Sequence, residues 1–118
     1  MDYLSNDYLI PVVLGDGDAA TAVATYIHQK TTIRPYLLSK NHTFRQRILC
    51  RCKKLISSSE FCIVASLCDL AVKLEPLGSP LLVYTNGYEE IISDHAEEIE
   101  SRYVTVFASD LMNNQKEL

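Results

Sequence analysis

The sequence predicts an α/β domain, a three-layer sandwich in which a small, mainly parallel sheet lies between two layers of helices. Three observations predict it. Residues 9–14 (LIPVVL) and 81–84 (LLVY) are short, continuously apolar runs, the mark of strands buried on both faces. Segments with helical spacing of apolar residues lie between the strand-like runs, joined to them by polar or glycine turns of a few residues. Such alternation calls for βαβ crossovers and therefore for parallel strands. With 118 residues, 47% of them hydrophobic, the chain has room for one domain with a modest core.

Residues 1–8 read as a flexible N-terminal arm and residues 9–108 as the domain proper. The first strand stops at Gly15, and beyond the turn Ala20, Val23, Ala24 and Ile27 recur at helical spacing in a helix that stops near Lys30, before the β-branched pair Thr31 and Thr32. Residues 33–38 (IRPYLL) form the second strand, which Pro35, lacking an N–H, places near a sheet edge. Residues 41–47 are a polar loop, and the alternation of Ile48, Cys50 and Cys52 suggests a short strand over 48–56. Ser57, Ser58 and Ser59 offer N-caps to the next helix, Ser57 and Glu60 having capping-box spacing. That helix is apolar nearly all round, with Phe61, Val64, Ala65 and Cys68 on one side and Ile63, Leu67, Leu70 and Leu74 on another. It must pack on the sheet and against something else. After the LLVY strand, Tyr88, Ile91, Ile92, Ala96, Ile99 and Tyr103 form the apolar stripe of one helix, with Asn86 as its cap and Glu89 and Glu90 in its first turn. Residues 104–107 (VTVF) are a last short strand. Ser109 and Asp110 open a helix that does not develop, so residues 109–118 read as the start of a linker. The resulting sheet is of Rossmann-like kind.

Charge and composition exclude several function classes. A net charge of −4 without a block of like charges offers no basic face to nucleic acid. Arg45, Arg47, Arg51, Lys53 and Lys54 alternate with apolar residues and read as a solvated strand edge. No run approaches the roughly 20 apolar residues of a membrane span, and the first residues are acidic where a signal peptide is basic. A cytoplasmic chain with no membrane partner is the expectation. Cys50, Cys52, Cys62 and Cys68 lack metal-ligand spacing and read as buried, reduced thiols. His28, His42 and His95 are scattered, and the sequence marks neither a catalytic residue nor a metal ligand.

Ligands of parallel α/β sheets bind beyond the carboxyl ends of the strands. Here that rim carries Gly15, Asp16, Gly17 and Asp18, then Ser39 and Lys40, then Thr85, Asn86, Gly87, Tyr88 and Glu89. The run from Gly15 to Ala20 matches G-x-G-x-x-A, a dinucleotide fingerprint when it joins strand to helix. Two features oppose that reading. Between Asp18 and Glu60 there is no acidic residue to hold the ribose of NAD, and Asp16 and Asp18 would set two negative charges beside the phosphates of NADP. A simpler account is steric: the glycines turn the chain sharply, Asp18 caps the helix, and Ala19 and Ala20 allow close packing.

Two segments, PVVLGDGDAATAVATYIHQK and LLVYTNGYEEIISDHAEEIESRYVTVFASDLMNN, together resemble the N-terminal domain of ATP-grasp carboxylate–amine ligases, the group of D-aspartate ligase and of proteins like the carbamoyl-phosphate synthase large subunit. The resemblance covers residues 11 to about 114, the stretch 41–59 matching only in pattern. It implies a pre-ATP-grasp domain without its catalytic part. ATP and Mg would be held by an ATP-grasp domain outside these residues, so this fragment itself would carry no cofactor. The implied reaction is formation of an acyl phosphate from a carboxylate and ATP, followed by capture with an amine. Partners would be the small carboxylate and amine substrates, and a homodimer stays open. By position, Gly15, Asp16, Gly17, Asp18, Thr85, Asn86, Gly87, Tyr88 and Glu89 would line the substrate side of the cleft. Asp16 and Glu89 would hold a substrate ammonium, and amides of the glycine turn would face a carboxylate or phosphate. The alternatives are a non-catalytic binding or interaction module and, more weakly, an NAD(P)-binding domain.

Overall fold

The computed structural model describes residue 4 and residues 8–40, 54–57 and 62–116. The run LIPVVL forms β1 (Leu9–Leu14), and the glycine turn after it leads into α1 (Gly17–Thr31). Ala20, Val23, Ala24 and Ile27 are the buried residues of α1, as their spacing requires. The helix ends with Thr32 in the left-handed region, φ 63°, its amide donating to the His28 carbonyl. β2 (Tyr36–Ser39) and β3 (Lys54–Ser57) follow, then α2 (Ile63–Leu74), β4 (Ser79–Tyr84), α3 (Glu89–Asp94), α4 (Ala96–Glu100), β5 (Val104–Phe107) and α5 (Ala108–Lys116).

The described strands form one five-stranded sheet in the order β3-β2-β1-β4-β5, and every pair is parallel. β1 is its centre, paired over Leu9–Leu14 with the whole of β4 and over its last three residues with β2. Successive strand residues face opposite layers. Val12, Leu14, Leu38 and Leu82 meet α2, α3 and α4 on one face, while Leu9, Val13, Leu37, Leu81, Val83 and Val106 meet α1 and α5 on the other. The molecule is therefore the expected α/β sandwich with a parallel, Rossmann-like sheet. Leu4, in the segment read as an arm, packs against the second of these clusters.

Several local expectations are corrected. β2 is not an edge strand: Pro35 lies just before it, buried, so its missing N–H removes no ladder bond. Ser57 ends β3 instead of capping α2, whose N-cap position is Cys62 without a side-chain bond. Cys62 is exposed and Cys68 only half-buried, because both lie off the face of α2 that meets the sheet, formed by Ile63, Leu67, Leu70, Ala71 and Leu74. Cys50, Cys52, the basic residues from Arg45 to Lys53, and Ser58, Ser59, Glu60 and Phe61 lie outside the described residues. The helix read as continuous after Gly87 is two short ones, broken at His95 (φ −122°, ψ 30°) after Ser93 and Asp94, both poor helix formers. Its stripe survives the break, since Tyr88, Ile92, Ile99 and Tyr103 are all buried in one cluster. The helix begun at Ser109 does develop: α5 starts directly after β5, and Leu111 anchors it with no exposed surface.

Candidate functional site

With this strand order the chain crosses from β1 toward β2 on one side and from β4 toward β5 on the other. Loops leaving the carboxyl ends of β1 and β4 therefore part, and the ground between them is where sheets of this kind have their ligand crevice. Gly15 and Thr85 are the first residues of those loops and touch. The Thr85 amide and hydroxyl both donate to the Leu14 carbonyl, at 3.0 and 3.3 Å, while the Gly15 amide donates to the Leu38 carbonyl at 3.1 Å. A Cβ at Gly15 would collide with the Thr85 side chain and press on the Cβ of Ala20. Close approach, not a positive φ, is what requires glycine there.

Gly17 differs. Its φ is +59°, and the space around a would-be Cβ is open; Gly87 in the facing loop is alike, at φ +102°. Both glycines serve backbone conformation.

Asp16 stands at the N-cap of α1 by backbone position, but its carboxylate makes no cap bond. It turns toward the end of β2, where Oδ1 accepts from the Ser39 hydroxyl at 2.6 Å and from the Lys40 amide at 3.2 Å. The Lys40 amide also lies 3.5 Å from the Tyr88 hydroxyl, and the Lys40 ammonium sits 5.3 Å from the centre of the Tyr88 ring, within cation–π range. Tyr88 is buried, its own amide donating to the Thr85 carbonyl at 3.2 Å. Asp18 and Asn86 are exposed, and neither is the cap expected of it: the N-cap positions belong to Asp16 and Tyr88. Glu89 instead reaches back to accept from the Gly87 amide at 2.6 Å. Backbone amides, its own foremost and then that of Gly87, hold the Glu89 carboxyl below the usual glutamate range. At the end of β4, burial and then the carboxylates of Asp110, Glu89 and Glu100 push the Tyr84 phenol up.

Gly15 and Thr85 are thus brought together, as are Tyr88 and the end of β2. The carboxylates of Asp16 and Glu89 are not joined, each being tied to a different segment. Ser39 and Lys40, on the rim by position but outside the expected site, are the direct partners of Asp16. A signal was present in the sequence: Ser39 is the one polar residue closing the strand YLLS, and a buried hydroxyl needs an acceptor. The ensemble offers backbone amides, an ammonium and hydrogen-bonded carboxylates, suited to binding and orienting a polar molecule. Among the described residues no group of three His, Cys, Asp or Glu side chains is gathered to hold a metal, and no helix is long and apolar enough to cross a membrane.

Comparison with protein families, with curated proteins and with solved structures finds no match for this chain.

Proposed function

We propose that this chain is the N-terminal, substrate-side domain of an ATP-dependent carboxylate–amine ligase, and that its crevice between β1 and β4 is one wall of the cleft where an acyl phosphate meets an amine. One observation carries the reading. The two segments that resemble such ligases are far apart in sequence, yet their polar turns, 15–18 and 85–89, lie side by side at the switch point of the sheet. In this reading Gly17 and Gly87 leave room for the substrate, and Glu89, exposed and held ionised, presents negative charge to the amine. Among the described residues no cluster of ligands is gathered for Mg, and in this reading ATP and its metal are held by an ATP-grasp domain outside these residues. The contribution of this domain is orientation, which raises rate by holding reactants near attack geometry.

The Asp16 bridge argues against a dinucleotide in the same crevice. Its carboxylate occupies the junction of the glycine turn with the end of β2, the ground on which such folds hold the ribose and pyrophosphate.

A second reading, an interaction module, draws on exposed apolar residues at the other end of the sheet. Tyr8 and Leu77 are 73% and 66% exposed, and Leu77 borders a cleft of about 310 Å³ also lined by Leu9, Ile33 and Leu74.

Isothermal titration of ATP–Mg, NADP and NAD, into this chain and into the product of the reading frame that contains it, separates the readings. Binding of ATP by the longer product alone, with ATP-dependent amide formation, is the expected result. NADP binding by the 118-residue chain overturns the proposal in favour of the dinucleotide, and a reading frame encoding no ATP-grasp sequence overturns it in favour of the interaction module.

A further inference from the structure

We infer that Asp16 is a positioning residue, which fixes the rim of the crevice by accepting hydrogen bonds and does not hold the substrate ammonium by its charge. The inference rests on the proposed function only for what the rim positions. The bonds themselves are features of the fold.

Three strand ends meet at this side chain. Asp16 belongs to the turn after β1, and its Oδ1 accepts from the Ser39 hydroxyl and the Lys40 amide at the end of β2. The Lys40 amide is shared with the hydroxyl of Tyr88, which comes from the loop after β4. Ser39 is wholly buried, so its bond to Asp16 is shielded from water. Backbone bonds between neighbouring strands reach as far as Gly15 and Thr85, and Gly17, at φ +59°, is a conformationally permissive position directly after Asp16. The bridge ties the turn to the end of β2 just beyond Gly15, whose own amide is already bonded to Leu38. A carboxylate already turned toward two donors on β2 is badly aimed for a cation in the β1/β4 crevice. Glu89, on the far lip, is then the rim carboxylate left to meet the amine.

Charge and geometry separate by substitution. Asp16→Asn keeps an acceptor oxygen at the same reach and removes the charge, whereas Asp16→Ala removes both. Amide hydrogen exchange of Lys40 in the 118-residue chain reads the bridge directly. Exchange is expected to quicken about tenfold in Asp16→Ala and to stay within about threefold of the parent in Asp16→Asn, as suits loss of the acceptor in the one and its retention, without the charge, in the other. Ser39→Ala is the check in case Asp16→Ala fails to fold: it removes one of the two donors that hold Asp16 Oδ1, and Lys40 exchange should quicken part of the way toward the Asp16→Ala rate. In the longer enzyme, Asp16→Asn should leave KM for the amine nearly unchanged while Glu89→Gln raises it.

An Asp16→Asn chain that exchanges as fast as Asp16→Ala, or an Asp16→Ala chain as protected as the parent, overturns the inference. So does an amine KM that Asp16→Asn raises as far as Glu89→Gln does. Absence of any ATP-dependent activity in the longer product would sink the ligase reading alone, since the exchange arms need no substrate.

Discussion

Gly15 and Gly17 stand two residues apart in one turn and are glycine for opposite reasons, which gives opposite expectations for their replacement. At Gly15 a methyl would strike Thr85 and crowd Ala20, so Gly15→Ala should cost about 2 kcal/mol or more by overpacking. Thr85→Ala removes the obstructing atoms, and the double variant should be less destabilised than the sum of the two single ones; additivity in urea unfolding would show that the contact is not the cause. At Gly17 nothing obstructs a methyl, and the cost comes from φ +59° alone, about 1 kcal/mol. Glu89 makes a separate prediction in pH. Its folded pKa is depressed, so its bond to the Gly87 amide is complete at pH values above the pKa of the unfolded chain and is lost as pH falls through the folded value. The Gly87 amide resonance should therefore titrate with a midpoint below the ordinary glutamate range, and Glu89→Gln should abolish that titration. The glycines, and Glu89 in its first turn, were legible as a turn and a helix start. That Gly15 answers to Thr85, 70 positions away, was not, because nothing local records a contact made across two strands.

At the scale of elements, apolar spacing told which faces would be buried better than it told where helices begin. The face of α2 formed by Ile63, Leu67, Leu70 and Leu74 is buried as its pattern predicts, but the second packed side expected of it is not seen: Ala65 is exposed and Val64 and Cys68 are half-buried. Both ends were misread for want of tertiary partners: α2 begins without a side-chain cap, and the helix after β4 breaks at His95 although its buried stripe continues. What ties those elements together is a polar bond in an apolar cluster. Tyr103, buried beyond α4, donates its hydroxyl to the Leu67 carbonyl at 2.7 Å. Leu67→Ala should destabilise the chain by about 3 kcal/mol through the cavity it leaves, and Tyr103→Phe by about 1 kcal/mol through the lost hydrogen bond. Burial raises the Tyr103 phenol far above the usual tyrosine value. The sign follows from proton binding: above the unfolded pKa near 10 the folded state keeps a proton that the unfolded state has released, so this stabilisation is full below pH 10 and declines as pH rises further. Tyr103→Phe should flatten the alkaline limb of stability against pH in urea melts; an unchanged limb would assign it to other groups.

Over the whole molecule, the order β3-β2-β1-β4-β5 makes β1 the strand on which the fold closes. Fold class was legible because a strand buried on both faces has a local signature, continuous apolarity. Strand order was not, since Pro35 lowered the rank of β2 and no residue of the first strand announces its two neighbours. The candidate site inherits this division: each turn was readable by itself, while the crevice between them exists only by virtue of the order. Local stability should follow that order too. Val12, Val13, Leu82 and Val83 lie on strands with partners on both sides and are buried, whereas β5 has β4 as its described partner and leaves Val104 58% exposed. Native-state hydrogen exchange should place the amides of β1 and β4 at the global unfolding limit and those of β5 at lower protection, opening sub-globally. A second copy of the chain pairing along β5 would change the result in a recognisable way. Protection in β5 would rise to match β1 and would fall again on dilution, because binding stabilises only at concentrations above its dissociation constant. Concentration-independent, low protection in β5 would instead leave that edge unpaired in solution, and a homodimer, if formed, would have to use another surface.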